Sequence, residues 1–176
     1  TEWTEYPVLH LDLNTAKYDC VEALTSVLND VLTYWESLYG TSPTEVTPEL
    51  RFKGLVRRAY ETTGRSVVIL VDEYDKPMLQ AIGNETLQDE YRNILKAFYS
   101  VLKTQDRYIK FAFLTGVTKF GKVSVFSDLN NLEDISMIEA YTSICGITDE
   151  ELHTVFDAEV AELASKCGLT KAECYD

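Results

Sequence analysis

Two adjacent carboxylates stand where a run of apolar residues ends. Asp72 and Glu73 directly follow Val67–Val71, in which every residue is apolar and most are β-branched. Such a run is typical of a strand covered on both faces by helices in a parallel sheet, and ligands bind beyond the carboxyl ends of such strands. Because buried carboxylates are costly unless a cation or hydrogen-bond donors satisfy them, the pair is a candidate divalent-ion site.

An apolar strand followed by Asp-Glu has the pattern of the Walker B motif of P-loop ATPases. In that motif the aspartate holds the Mg²⁺ shell through water, and the glutamate polarises the attacking water. Asp72 and Glu73 are the candidates for these two roles. The alternative is a solvated turn whose acidic residues only cap the helix near Pro77. Tyr74 and Asp75 are interpreted as residues that order the loop after the acidic pair.

The partner motif of a P-loop, GxxxxGK[ST], has one near match, Gly116–Val123. Its last residue, Val123, has no hydroxyl for Mg²⁺, and Phe120 is bulky where amides must wrap closely around phosphate oxygens. A phosphate loop also ordinarily precedes the acidic strand, whereas this segment follows it. The pattern favours an ordinary strand-to-helix turn, in which the glycines supply backbone freedom.

The elements that must position these residues alternate between strands and helices. Val8–Leu13 and Ile109–Leu114 predict strands in addition to the central one. Asp19 and Glu22, at capping-box spacing, predict the start of a helix that runs to Gly40. Further helices are predicted from Thr47 and Pro48 to Gly64, and over Leu87–Leu102.

The order βααβαβ predicts an α/β domain with a doubly wound, three-layer, mostly parallel sheet. Tyr141–Ile147 is a weaker candidate for a fourth strand. Thr148 and Glu151, again at capping-box spacing, predict a last helix that continues through Leu163. We therefore expect an α/β core over residues 1–147 and the start of a C-terminal helical segment over 148–176.

Composition and charge exclude several classes of protein. The 176 residues are 45% apolar and 26% charged, as in ordinary globular proteins. A net charge of −13 disfavours autonomous binding to nucleic acid. No apolar run is long enough for a membrane helix, and no signal peptide is recognisable. The four cysteines lack metal-ligand spacing, so we expect reduced thiols and a cytoplasmic protein without membrane partners.

Five stretches of the sequence resemble the AAA-ATPase-like domain family, known mostly from predicted bacterial proteins. The resemblance implies that Asp72 is a magnesium-shell ligand and Glu73 a general base. It also implies that Ile109–Leu114 is a sensor strand whose tip carries Thr115, Thr118 and Lys119 towards the γ-phosphate. The stretches that carry it are 6–12, 68–77, 113–120, 126–135 and 145–148.

The family implies a P-loop NTPase-like fold of the AAA type and a complete protein that binds Mg²⁺ and ATP and hydrolyses ATP. Its Walker A loop should precede the first strand, and no acceptable copy exists in this sequence. We therefore expect the family's ATPase domain without its first strand, phosphate loop and first helix, and an inactive fragment. Ile109–Leu114 would then expose an apolar edge unless Tyr141–Ile147 covers it, which predicts self-association.

Two other functions are compatible with the residues. The chain could be a non-enzymatic protein-interaction module on an α/β scaffold. It could also be a metal-dependent phosphohydrolase or nuclease using Asp72, Glu73 and Asp75, although these acids do not have the (D/E)xK spacing of PD-(D/E)XK nucleases. Asp12, at the end of the first strand, is a candidate to face the nucleotide, and capping of a turn is its alternative role.

Overall fold

The structure, a computed structural model, describes residues 4–117, 125–126 and 129–175. The chain forms two compact units, Thr1–Asn131 and Leu132–Asp176. The first contains the whole sheet, and the second contains short helices. The expected boundary after residue 147 stays a prediction.

The first unit is built on three parallel strands. They are β1 (Val8–Asp12), β2 (Val67–Asp72) and β3 (Ile109–Leu114), and their order in the sheet is β1-β2-β3. β1 ends one residue earlier than predicted because Leu13–Thr15 turns into a 3-10 helix. The predicted α/β class is confirmed, and the predicted βααβαβ order is corrected to βααβααβ, because a short helix, Lys76–Gln80, precedes the long one between the second and third strands. Parallel strands end at a common edge, so Asp12 lies opposite Asp72 and Val71 opposite Leu114.

Four helices connect the strands. They are α1 (Val21–Tyr39), α2 (Pro48–Thr63), the short α3 (Lys76–Gln80) and α4 (Glu85–Thr104). The predicted limits of α2 are confirmed, because Pro48 opens it and Gly64 ends it with a left-handed φ of 66°. The predicted capping box of α1 is wrong: Cys20 is the N-cap, and Asp19 pairs instead with Lys17 at 3.0 Å.

The core lies between the helices and one face of the sheet. Leu9, Leu11 and Ile69 project from the strands into it and are almost fully buried. On the helical side, Phe52 of α2 stacks on Phe98 of α4 with ring centroids 4.5 Å apart. Trp35 of α1 packs on the same Phe52 ring at 5.7 Å. The three long helices are thus joined by one aromatic cluster.

Among the described residues, the opposite face of the sheet is only partly covered. Across it run Val8, Val68 and Phe111, which the register places side by side, and Val8 and Phe111 are 47% and 54% exposed. Right-handed crossovers between strands in the order β1-β2-β3 put their helices on the same face. The described residues of the first unit therefore form two layers, one of helices and one of strands. The predicted doubly wound, three-layer arrangement is wrong for these residues.

The second unit contains α5 (Asp149–Thr154), α6 (Asp157–Cys167) and α7 (Lys171–Tyr175). The predicted capping box is confirmed: the Thr148 hydroxyl accepts from the Glu151 amide at 3.2 Å, and the Glu151 carboxylate accepts from the Thr148 amide at 2.9 Å. The predicted single helix is interrupted between α5 and α6. Within the described residues, no helix is long and apolar enough to cross a membrane.

The predicted strand over Tyr141–Ile147 is wrong. Tyr141 ends a 3-10 helix, Glu139–Tyr141, and the residues after it form turns and bends. Gly146 has a φ of 89°, outside the extended region. A run of apolar residues this short, interrupted by polar residues and a glycine, does not define a strand without a neighbour to pair with.

Candidate functional site

Asp72 and Glu73 lie at the edge of the sheet where the parallel strands end. Asp72 is the last residue of β2 and is exposed, and Glu73 is partly buried in the turn that follows. Glu73 has a φ of 55°, a left-handed conformation that residues with a Cβ rarely adopt. Such strain persists only where surrounding contacts hold it, and it is concentrated at functional sites.

Backbone hydrogen bonds join this acidic turn, residues 72–75, to the end of β3. The Thr115 amide donates to the Val71 carbonyl at 2.9 Å, and the Tyr74 amide donates to the Thr115 carbonyl at 2.9 Å. The Lys76 amide closes the turn by donating to the Glu73 carbonyl at 3.0 Å. These bonds carry the pairing of β2 with β3 past the ends of both strands and hold Glu73 in its unusual conformation.

The structure brings Asp72, Glu73 and Thr115 together. The Thr115 hydroxyl donates to Asp72 Oδ1, so a hydroxyl from the tip of β3 lies directly on the carboxylate of β2. This neighbourhood follows from the register, since Val71 pairs with Leu114. The other two residues assigned to this tip, Thr118 and Lys119, lie outside the described residues.

Asp75 is the buried carboxylate of the turn, with only 1% of its surface exposed. It occupies the N-cap position of α3 but makes no side-chain capping bond there. Instead its Oδ1 accepts from the Val117 amide at 3.3 Å. Asp75 therefore does not cap α3 through its side chain, and its contact is with the loop after β3. The expectation that Tyr74 and Asp75 order the loop after the acidic pair stays a prediction.

Asp12 makes a local contact. Its carboxylate accepts from the Asn14 amide at 2.7 Å and so caps the 3-10 helix after β1. Burial, with a smaller effect from the Asp12 charge, raises the pKa of Tyr18 to about 12. The turn-capping role of Asp12 is thus the one visible in the structure, and its role towards a nucleotide stays a prediction.

The acidic residues do not form a metal-binding cluster of their own. Among the described residues, no group of three or more His, Cys, Asp or Glu side chains could hold an ion. Asp72, Glu73 and Asp75, the acids considered for a nucleotide-free metal enzyme, are all described residues and therefore do not form such a group. One exposed carboxylate, Asp72, does fit Mg²⁺ that keeps most of its water and is held mainly by substrate phosphates.

The fold and the site together define a class of protein, an α/β unit with an acidic turn at the carboxyl edge of a parallel sheet. Residues 1–126 match the family described as "Predicted AAA-ATPase". The chain belongs to this family. The match includes the acidic turn and Thr115, and it leaves out the second unit.

A relative of this chain is the "Uncharacterized protein in vnfD 5'region" of Azotobacter chroococcum mcd 1. The two sequences are 38% identical over 163 residues, which is 92% of this chain and 32% of the relative. The chain therefore spans about a third of the length of that relative. No solved structure matches the chain.

Proposed function

We propose that the chain carries the acidic half of an ATPase site whose complete form binds Mg²⁺ and ATP and hydrolyses the terminal phosphate. The observation that carries the proposal is the position of Asp72 and Glu73 at the carboxyl end of the central strand, with the Thr115 hydroxyl on Asp72. Membership of the Predicted AAA-ATPase family supports it. The strained backbone of Glu73 supports a functional role for that residue.

Each residue has a distinct role in this proposal. Asp72 holds the water shell of Mg²⁺, and the ion, when bound, neutralises charge on the phosphates. Glu73 orients the attacking water and accepts its proton. Thr115 fixes the Asp72 carboxylate by donating to one oxygen. Thr118 and Lys119 are proposed, from the resemblance alone, to contact the γ-phosphate.

The phosphate loop has to come from sequence outside these 176 residues, because the near match at Gly116–Val123 lacks the hydroxyl residue of GxxxxGK[ST]. The relative, about three times as long as the matched stretch, has room for such a segment. Without phosphate-loop amides and lysine, the 176-residue chain should have negligible ATPase activity. Its four cysteines are free thiols, which supports a reducing, cytoplasmic location as part of the proposal.

The direct test is Glu73→Gln in the complete protein. Hydrolysis should slow by about 10²–10⁴-fold, the scale of a lost general base, while ATP binding is preserved. The matched control is Glu61→Gln, which changes an exposed glutamate on α2 and should leave the rate unchanged. A Glu73→Gln protein that hydrolyses ATP at the wild-type rate would reject the assignment.

A second candidate function, a protein-interaction module, is favoured by the edge of the sheet. In the described structure β3 is an edge strand, and Phe111 on it is 54% exposed. Unpaired strand edges add strands from other chains, so we propose self-association of the isolated chain through β3. Sedimentation velocity should show dimers that Phe111→Lys abolishes and Val46→Lys, at an exposed loop residue, does not. A strict monomer over a wide concentration range would contradict this proposal.

A further inference from the structure

The loop that leaves β3 lies unusually close to the acidic turn at Gly116. A Cβ on Gly116 would lie 2.6 Å from Asp75 Oδ1 and 2.6 Å from Tyr74 Cε1. Contacts this short do not occur with real side chains, so this position has to be glycine for the two loops to meet. The requirement for glycine at position 116 comes from this crowding and not from the backbone conformation, because the φ of Gly116 is not positive.

The buried carboxylate of Asp75 faces this loop. Burying a charged carboxylate is costly unless hydrogen bonds satisfy it, and Asp75, only 1% exposed, accepts from the Val117 amide at 3.3 Å. A charged acceptor strengthens an amide hydrogen bond, although this bond is longer than the usual range of about 2.7–3.2 Å. The carboxylate therefore contacts the backbone two residues beyond Thr115.

Tyr74, the residue before Asp75, belongs to an aromatic cluster. The Tyr74 ring packs on Phe126 at 5.0 Å, and Phe126 packs on the fully buried Tyr99 at 5.2 Å. Burial raises the pKa of the Tyr99 phenol, and the Asp75 charge adds to the effect. The turn that carries Asp75 is therefore packed against α4 through Tyr74, Phe126 and Tyr99.

We propose that Asp75 is a positioning residue: its carboxylate locks residues 115–117 against the acidic turn and thereby keeps the Thr115 hydroxyl on Asp72. Asp75 itself touches neither metal nor nucleotide in this arrangement. The effect of Asp75 on catalysis rests on the proposed ATPase function, whereas the contact that holds residues 115–117 against the acidic turn does not.

The first measurement tests the lock alone, by amide hydrogen exchange in the 176-residue chain. Asp75→Ala should speed exchange of the Val117 amide by about tenfold or more, since it removes a bond to a charged acceptor. Asp75→Asn retains an oxygen acceptor and should lie between Ala and wild type. Asp30→Asn, at an exposed position of α1, is the matched control and should exchange like wild type.

Gly116→Ala is the second variant, and it leaves the net charge of the protein unchanged. It tests the same contact between the loops if Asp75→Ala fails to fold. Its Cβ forces the loops apart, so the Thr115 and Val117 amides should both exchange faster than in wild type. Exchange of these two amides within about twofold of wild type in every folded variant would overturn the proposal, whatever the protein catalyses.

The second measurement is steady-state ATPase kinetics of the complete protein. Asp75→Ala should lower kcat by roughly 10²-fold, the effect of a small misplacement of catalytic groups, with KM for ATP near wild type and partial rescue by Asp75→Asn. A purely structural role would lower folding stability and leave this kcat difference absent among folded molecules. An inactive wild-type protein would reject the ATPase function but leave the exchange result to decide the lock, and an active one with unchanged kcat in Asp75→Ala would overturn the positioning role.

Discussion

The helical layer and the acidic turn hold their carboxylates in opposite ways. Between α1 and α2, Glu36 accepts from Arg51 Nε at 2.7 Å, and in the loop before α2, Glu45 accepts from Arg58 at 2.7 Å. All four side chains are at least 84% buried. In the acidic turn, by contrast, Asp72 is exposed and accepts from a hydroxyl, and within the described part of the chain neither Asp72 nor Glu73 pairs with a cation.

Under the proposed function, this difference separates carboxylates that stabilise the fold from carboxylates that bind a ligand. A buried acid that already has an arginine partner has its charge satisfied and stabilises the packing around it. An acid in a strained turn at the end of a strand is, in the proposed function, the group that binds a ligand. Four measurements test this distinction.

The largest effect is expected from Glu45→Ala. It leaves the Arg58 guanidinium, 15% exposed, without its carboxylate partner, and breaking a buried pair in this way costs about 3–5 kcal/mol. The control is Glu61→Ala, whose partner Arg57 lies 3.8 Å away on the surface of α2, with a cost under about 0.5 kcal/mol. Urea unfolding measures both, and equal costs would show that burial does not distinguish these pairs.

The next effect is expected from Gly54→Ala. A Cβ at Gly54 would lie 1.8 Å from Glu45 Oε1, so the carboxylate must leave its site beside Arg58. Overpacking of this kind costs about 1–3 kcal/mol, although alanine favours the helix by about 1 kcal/mol. In the double variant with Glu45→Ala the clash disappears, so the two unfolding costs should be less than additive. Strict additivity would contradict the contact.

A change in the opposite direction is expected from Glu73→Gly. Glycine adopts a φ of 55° without a Cβ penalty, so the variant should be more stable than Glu73→Ala by about 1 kcal/mol. Both variants should be inactive in the complete protein if Glu73 is the general base. Thermal unfolding compares the two directly, and an alanine variant as stable as the glycine one would show that the turn is not strained.

The smallest effect is expected only at acidic pH. The hydrogen bond from Arg51 holds the pKa of Glu36 below its ordinary value of 4.5. Because the folded pKa is the lower one, the stabilisation by this pair is complete above the unfolded pKa and is lost as the pH falls through the folded pKa. Denaturant midpoints on the acid side of pH 4.5 should fall less steeply in Glu36→Gln than in wild type. Parallel curves would refute the assignment.

The elements that the sequence predicted well are those with strong local signals. Val67–Val71 and Ile109–Leu114 are strands as predicted, with β2 extended by Asp72, because apolar runs of that length pair readily in a parallel sheet. Thr148 with Glu151 forms its capping box. Asp19 with Glu22 has the same spacing and forms none, because the helix begins one residue later than this spacing requires, with Cys20 as its N-cap. The spacing shows that a capping box is possible, and the residue at which the helix begins decides whether it forms.

The candidate site was predictable in part. The position of Asp72 and Glu73 after an apolar strand was visible in the sequence, and their nearness to Thr115 follows from pairing of β2 with β3. The burial of Asp75 and the close approach at Gly116 were not, because both depend on a contact between loops 41 residues apart. The sequence of the four polar residues of the turn, 72–75, does not indicate which carboxylate is buried.

The order of residues by itself determined the alternation of strands and helices, the acidic pair at the end of β2 and the glycine that ends α2, because each depends on the chemistry of neighbours in the chain. Only the tertiary structure decided that the described sheet is covered on one face and only partly covered on the other, at Val8 and Phe111. It alone also decided that Asp75 is buried against Val117 while Asp72 stays exposed. Burial is set by segments that meet in space, and their meeting depends on the winding of the strands and not on local sequence.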